Sequence, residues 1–336
     1  MKLEDIGFYT LSDERAQNVS LTSPLKRCEL IITGACNFKC PYCRGIRPDF
    51  NAYMPLSEIV SNIDKFATHN LDNIRFSGGE PTIYDEELLT CAVLYAKFKG
   101  IKRIAISTNG SADFEYYVRL INAGVNDFSI SLDACCASYG DIMAGGIKGA
   151  WAKVVENIRR LAELTYVTVG IVATEGTMPQ IKETIIFAAS LGVADIRIIS
   201  AAQQNSMLSL VSTMDENLIN KFPILKYRFN NILNNRHVRG IRKTDTHKCP
   251  LVLDDMAVMG GHHFPCIIHM REQGNPIGTM DESIAMIRLK RQTWYETHDT
   301  HNDPICAKNC LDVCIDHNNK VEEFKNDYRK NGLHTL

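Results

Sequence analysis

The chain has 336 residues, 45% of them hydrophobic and 23% charged, the makeup of a folded protein with one large domain or one domain and an appendage. Its 37 lysines and arginines nearly balance 39 aspartates and glutamates, so no overall field would hold it on nucleic acid, and no stretch approaches the roughly 18 apolar residues that span a bilayer. Glu4 and Asp5 stand where a secretory signal would carry basic residues, which places the chain in the cytoplasm, where twelve cysteines are better explained by metal ligation than by disulfides.

From 28 to about 199, short β-branched runs alternate with amphipathic helical stretches, the pattern of repeated βα units around a parallel sheet. Strands are expected near 29–33, 73–76, 103–107, 127–132, 166–172 and 195–199. Pro55, Leu56 and Ser57 open a helix with Ser57 as the expected cap, and Trp151, Val154, Val155, Ile158 and Leu161 mark the buried face of another over 149–164. That face makes Trp151 a core residue rather than a cofactor stack. After Ser200 come a polar stretch at 203–206, a helical stretch to about Asn234, and an irregular region with five more cysteines. Gly260 and Gly261, between Met256-Ala257-Val258 and Phe264-Pro265-Cys266, signal a hairpin, and 320–330 reads as a charged surface helix. The expected units are an N-terminal extension over 1–27, a core over 28–234 and a smaller unit over 235–336.

Cys36, Cys40 and Cys43 follow the first expected strand, so three thiolates sit on a loop at a strand's carboxyl end, where α/β folds keep their active sites. A cubane has four irons, and three cysteines leave one of them open to substrate. A structural zinc site competes with this reading, but it wants four closed ligands, and no fourth cysteine or histidine lies nearby in the sequence.

The CxxxCxxC spacing, with Tyr42 before the last cysteine, resembles the signature of the radical S-adenosylmethionine (SAM) superfamily. The resemblance implies that SAM chelates the open iron of a [4Fe-4S] cluster through its amino and carboxylate groups. It also implies that an electron entering the sulfonium yields a 5'-deoxyadenosyl radical that abstracts hydrogen. Ser77-Gly78-Gly79-Glu80-Pro81 resembles the family's GGEP motif, with Gly78 and Gly79 allowing close backbone approach and Glu80 offering a carboxylate to the SAM ammonium. Ser107 and Asn109 at the third strand's end and Ser131 at the fourth resemble the ribose and carboxylate contacts.

Cys249 and Cys266 bracket the hairpin, and Cys306, Cys310 and Cys314 follow, which resembles part of a SPASM domain or the shorter twitch domain and implies one auxiliary [4Fe-4S] cluster. Five candidates serve four positions; Cys249, Cys266, Cys310 and one of Cys306 or Cys314 are favoured. Spacings of four put the last three on one helical face, awkward for ligation unless the stretch is irregular. Cys28, Cys91, Cys135 and Cys136 read as structural thiols, and His262, His263 and His269 as surface groups of a turn. Arg236, Arg239, Arg242 and Lys243 read as a solvated basic loop rather than an anion receptor.

The expected architecture is α/β, a partial (βα)6 TIM-like barrel with a smaller C-terminal twitch-like domain. The expected function is radical modification of a small polar metabolite at a C-H bond, with oxidoreductase, lyase and transferase outcomes all open, fed by a donor such as flavodoxin or ferredoxin. A peptide-modifying enzyme is the alternative, disfavoured because the residues before Cys28 are too few for a leader-binding domain. A non-catalytic iron-sulfur sensor would not need the SAM-type strand ends.

Overall fold

The computed structural model describes residues 12–201 and 214–330, so the polar stretch at 203–206 lies outside the described residues. A short helix, α1 (Asp13–Gln17), precedes six βα units: β1 (Arg27–Thr33), α2 (Leu56–Ala67), β2 (Asn73–Gly78), α3 (Glu86–Phe98), β3 (Arg103–Thr108), α4 (Phe114–Ala123), β4 (Asp127–Ser131), α5 (Ala137–Met143), α6 (Ala150–Ala162), β5 (Tyr166–Ala173), α7 (Ile181–Ser190) and β6 (Asp195–Ser200). Strand residues alternate between two environments, as the period-2 pleat requires. Leu30, Phe76, Ile106, Phe128, Val169 and Ile198 face the helices and join the main core. The alternate set is polar: the Arg75 guanidinium donates to Ser107 Oγ at 2.8 Å and pairs with Asp127, and Arg197 donates to Ser129 Oγ at 3.1 Å.

The helices obey the same apolar spacing, while one cap differs from expectation. Helix α2 buries Ile59, Ile63 and Phe66, but Pro55 is its cap, and Ser57 falls inside the first turn. Helix α6 buries Val154, Val155, Ile158 and Leu161 and is capped from outside, since the Asp141 carboxylate accepts from Gly149 N at 2.7 Å and Trp151 N at 2.9 Å. A carboxylate there satisfies orphan N–H groups and opposes the positive helix end.

Beyond residue 214 come α8 (Glu216–Lys221), α9 (Pro223–Leu233), β7 (Asp255–Met259), β8 (His262–Phe264), α10 (Ile267–Arg271), β9 (Gly278–Thr279), α11 (Ile284–Thr297), α12 (Pro304–Asn309) and α13 (Asp312–Lys330). The hairpin turns at Gly260 and Gly261, both at positive φ, as a tight primed turn demands. Its first arm does more than pair with the second. It lies parallel to β1 in the register Arg27 to Asp255 through Leu30 to Val258, so the sheet runs β6, β5, β4, β3, β2, β1, β7, β8, β9. Met256 and Val258 enter the same core as Leu30, and Arg27 seals the join by donating to both oxygens of Asp255. The sheet is thus continuous across residue 235.

Three expectations about single residues are corrected. Cys91 and Cys136 are exposed, whereas Cys28 is buried in β1. His263 and His269 are buried, and burial together with the neighbouring Arg291 depresses the imidazole pKa of His263 to about 2. Of the basic stretch, Arg239 is buried and donates to Ser200 O and Asn309 O, and Arg236 and Arg242 pair with Asp316 and Asp245.

Arg228 of α9 and Asp312 of α13 form an ion pair from which solvent is wholly excluded. Asn231 donates to the same carboxylate at 2.8 Å. Removing one partner of such a pair strands a buried charge, so Asp312→Ala should cost about 3–5 kcal/mol by chemical denaturation, and Arg228→Met with Asp312→Leu should recover most of it. A loss below about 1 kcal/mol for the single variant would mean the pair behaves as a solvated one.

Candidate functional site

The site is built from strand ends. Past Thr33 the chain crosses the mouth of the barrel as a loop, and the end of β2 is pressed against its first residues: Gly79 N donates to Thr33 O and Glu80 N to Ala35 O, both at 2.8 Å. Glycine is required here. A Cβ on Gly79 would stand 2.1 Å from Ala35 O, and one on Gly78, whose φ is 151°, would stand 2.2 Å from Thr33 O.

Glu80 departs from the expectation that its carboxylate meets the SAM ammonium. Its side chain is fully buried and already held by four donors: Oε1 accepts from Thr82 N (2.9 Å), Thr82 Oγ1 (2.6 Å) and Thr108 Oγ1 (2.8 Å), and Oε2 accepts from Asn109 N (2.6 Å). Burial raises its pKa while these four donors lower it. The carboxylate therefore ties the end of β2 to the end of β3, and Asn109, so fixed, donates from Nδ2 to Asn37 Oδ1 at 2.8 Å in the cysteine loop.

Cys36, Cys40 and Cys43 line one cavity of about 260 Å³ together with Tyr42, Gly78, Gly79, Ser107, Asn109 and Ser131. Every residue expected to bind SAM, except the side chain of Glu80, is thus brought to one place. Phe38 N and Gly45 N point at the sulfurs of Cys36 and Cys43 at 3.4 and 3.3 Å. Burial raises the pKa of the Cys36 thiol and takes that of Cys40 to about 12, with the neighbouring thiols and Asp133 adding to the effect on Cys40. Thiols so crowded hold their protons until a cation replaces them.

Sequence reasoning missed four cavity residues. Asp133 accepts from the Tyr42 hydroxyl and, at 2.6 Å, from Val172 N; burial raises its pKa to about 6. Trp151 is half-buried at the cavity wall, with its indole N–H on Ala134 O at 2.9 Å and its ring stacked on Phe187, so it is not a plain core residue. Arg197 and Arg271 also reach the cavity. Arg197 had a signal, a charged residue between the isoleucines of a strand, whereas Arg271 had none short of the fold.

A second chamber collects all five remaining candidates: Cys249, Cys266, Cys306, Cys310 and Cys314 line it together. The awkward spacing is resolved because the helix breaks. Cys306 lies in α12, Cys310 is the extended residue that ends it, and Cys314 lies in α13. Burial raises the pKa of Cys249 to about 11 and also raises that of Cys266. His298, Asp303 and Cys306 bring ligand atoms within 4.8 Å of one another at the chamber's side. Cys266 starts α10, and Arg271 ends it with its guanidinium on Gly78 O at 3.1 Å, so one short helix joins the two sites.

Residues 30–188 match the Radical SAM superfamily. GTP 3',8-cyclase of Mannheimia succiniciproducens is 31% identical over 141 residues, 41% of each chain. GTP 3',8-cyclase of Haemophilus influenzae is 32% identical over 122 residues, 34% of this chain and 36% of its own. The chain thus aligns with less than half the length of these curated relatives. Among solved structures, anSMEcpe with bound AdoMet superposes with a TM-score of 0.58 at 14% identity, over 93% of this chain and 96% of that one. SuiB of Streptococcus suis bound to S-adenosylmethionine gives 0.57 at 14%, over 89% and 68%. The α/β partial barrel is the fold they share.

Glu80→Gln tests the internal role of this carboxylate. One amide N–H must then face a donor, so folding stability should fall by about 2–3 kcal/mol in denaturant even without SAM. Unchanged stability with weakened SAM binding would instead return Glu80 to the ammonium.

Proposed function

We propose, on the premise that the chain carries a radical SAM superfamily domain over residues 30–188, that it cleaves SAM reductively and abstracts hydrogen from a small polar metabolite. The observation that carries this reading is the meeting of Cys36, Cys40 and Cys43 with the strand-end groups of β2, β3 and β4 in one cavity. Three thiols beside open space suit a [4Fe-4S] cluster with one iron left to a ligand, and they do not suit a closed four-ligand zinc site. When bound, such a cluster supplies the electron that breaks the sulfonium of SAM into methionine and a 5'-deoxyadenosyl radical.

The chain's own residues position and shield. Gly78 and Gly79 present backbone at the cavity, and Ser107, Asn109 and Ser131 offer hydroxyl and amide groups to the polar parts of SAM. Tyr42, clamped to Asp133, fixes the cysteine loop against β4. Cys249, Cys266, Cys310 and one of Cys306 or Cys314 are assigned to an auxiliary [4Fe-4S] cluster on the substrate side, with the second chamber's convergence as support. A flavodoxin or ferredoxin would deliver the electron. GTP 3',8-cyclase is named for a nucleotide substrate, which favours a small metabolite over a peptide. No described helix is long and apolar enough to cross a membrane.

Anaerobically reconstituted protein should hold about eight irons, and replacing Cys36, Cys40 and Cys43 by alanine should leave about four and abolish 5'-deoxyadenosine formation. Zinc in place of iron would contradict the assignment. Conversely, Cys266→Ala should lose about four irons and keep slow release of 5'-deoxyadenosine from SAM under reduction. If that variant lost SAM cleavage altogether while remaining folded, the division of labour between the two sites would be wrong.

A further inference from the structure

Strand β6 reads Asp195-Ile196-Arg197-Ile198, and the two isoleucines are fully buried towards the helices, so the pleat sends Arg197 into the barrel. Its guanidinium crosses Gly170 of β5, where a Cβ would come within 3.6 Å of Nη2, and reaches Ser129 Oγ of β4 at 3.1 Å. Its Nε is buried without a hydrogen-bond partner.

Among the described residues, no carboxylate stands within ion-pair distance of Arg197 or Arg271. This distinguishes them from the barrel's other arginines: Arg75 and Arg103 share Asp127, and Arg27 has Glu29 and Asp255. The paired arginines lie off the cavity, and the two without a carboxylate line it. Burial lowers the pKa of Arg197 only to about 10, so it stays cationic. Among the described residues, the one carboxylate lining the cavity, Asp133, is already engaged by the Tyr42 hydroxyl and Val172 N. Arg271 is held at the cavity by Gly78 O at 3.1 Å and Gly45 O at 3.5 Å, which orient it without neutralising it. Two oriented guanidinium groups thus face one cavity with only the more distant Glu29 and Asp127 to offset Arg197 and Glu29 to offset Arg271, and an anion in the cavity would complete them.

We propose that Arg197 and Arg271 together bind an anionic group of the substrate, a carboxylate or a phosphate, leaving the groups at the ends of β2, β3 and β4 to SAM. The placement supports this division: Arg197 stands on β6, the far end of the barrel sheet from β1 and its cysteine loop, and Arg271 arrives from the helix that begins at Cys266. The proposal rests on the reading of this cavity as the SAM site.

The test is calorimetric titration of the reconstituted, SAM-loaded protein with pyrophosphate and with succinate as probe anions. At least one should bind, and Arg197→Gln and Arg271→Gln should each weaken it by about tenfold or more while SAM affinity stays within about threefold, as expected for loss of a charged hydrogen bond. Arg197→Lys, which keeps the charge and loses the fork, should fall between. If Arg197→Gln does not fold, Arg271→Gln and Arg197→Lys decide the matter. The proposal is overturned if neither probe binds the wild type, if the variants bind as tightly as wild type, or if SAM affinity itself falls tenfold, which would assign the arginines to the SAM carboxylate. SAM cleavage by the wild type without any probe is run alongside; its absence would sink the functional reading while leaving the anion titration readable.

Discussion

The fully buried carboxylate of Glu80 is the constraint on which the site depends. By accepting from Thr82, Thr108 and Asn109 it locks the ends of β2 and β3 into one hydrogen-bonded platform. The main-chain bonds of Gly79 and Glu80 to Thr33 and Ala35 then fasten the base of the cysteine loop to that platform. Charged acceptors make the stronger hydrogen bonds, and in a dry interior an unmet one is expensive, so the arrangement is all or nothing. Three thiols proposed to hold one cluster need such a base, since a free loop would scatter them.

The second unit is built on the first rather than beside it. Strand β7 extends the barrel sheet past β1, and Arg291, fully buried, holds the hairpin by donating to Val252 O, Phe264 O and Pro265 O. That fixes Cys266, and α10 then carries the chain from the second chamber to Gly78 at the first.

Much of this was legible in the sequence because the signals were local. The six barrel strands fall within two residues of their expected ends, since each is a β-branched run closed by polar residues, and the CxxxCxxC and SGGEP segments declare the loop and the platform. What was not legible depends on distant partners. The segment 255–259 looks like one arm of a hairpin, and only its pairing with Arg27 to Leu30, more than two hundred residues earlier, makes it a barrel strand. Glu80 offers a carboxylate, but whether it faces a ligand or the protein was decided by where β3 puts Thr108 and Asn109. His263 reads as a turn residue, but it lies in β8 opposite Val258 and is buried with Arg291 beside it.

On the proposed reading, the platform presents a three-cysteine cluster whose fourth iron is the ligand site for SAM. Electron-nuclear double resonance on the reduced, reconstituted protein with SAM labelled by 15N at its amino group and 17O at its carboxylate tests it most directly. Both labels should show hyperfine coupling to the cluster. Absence of both couplings, with SAM demonstrably bound, would contradict it.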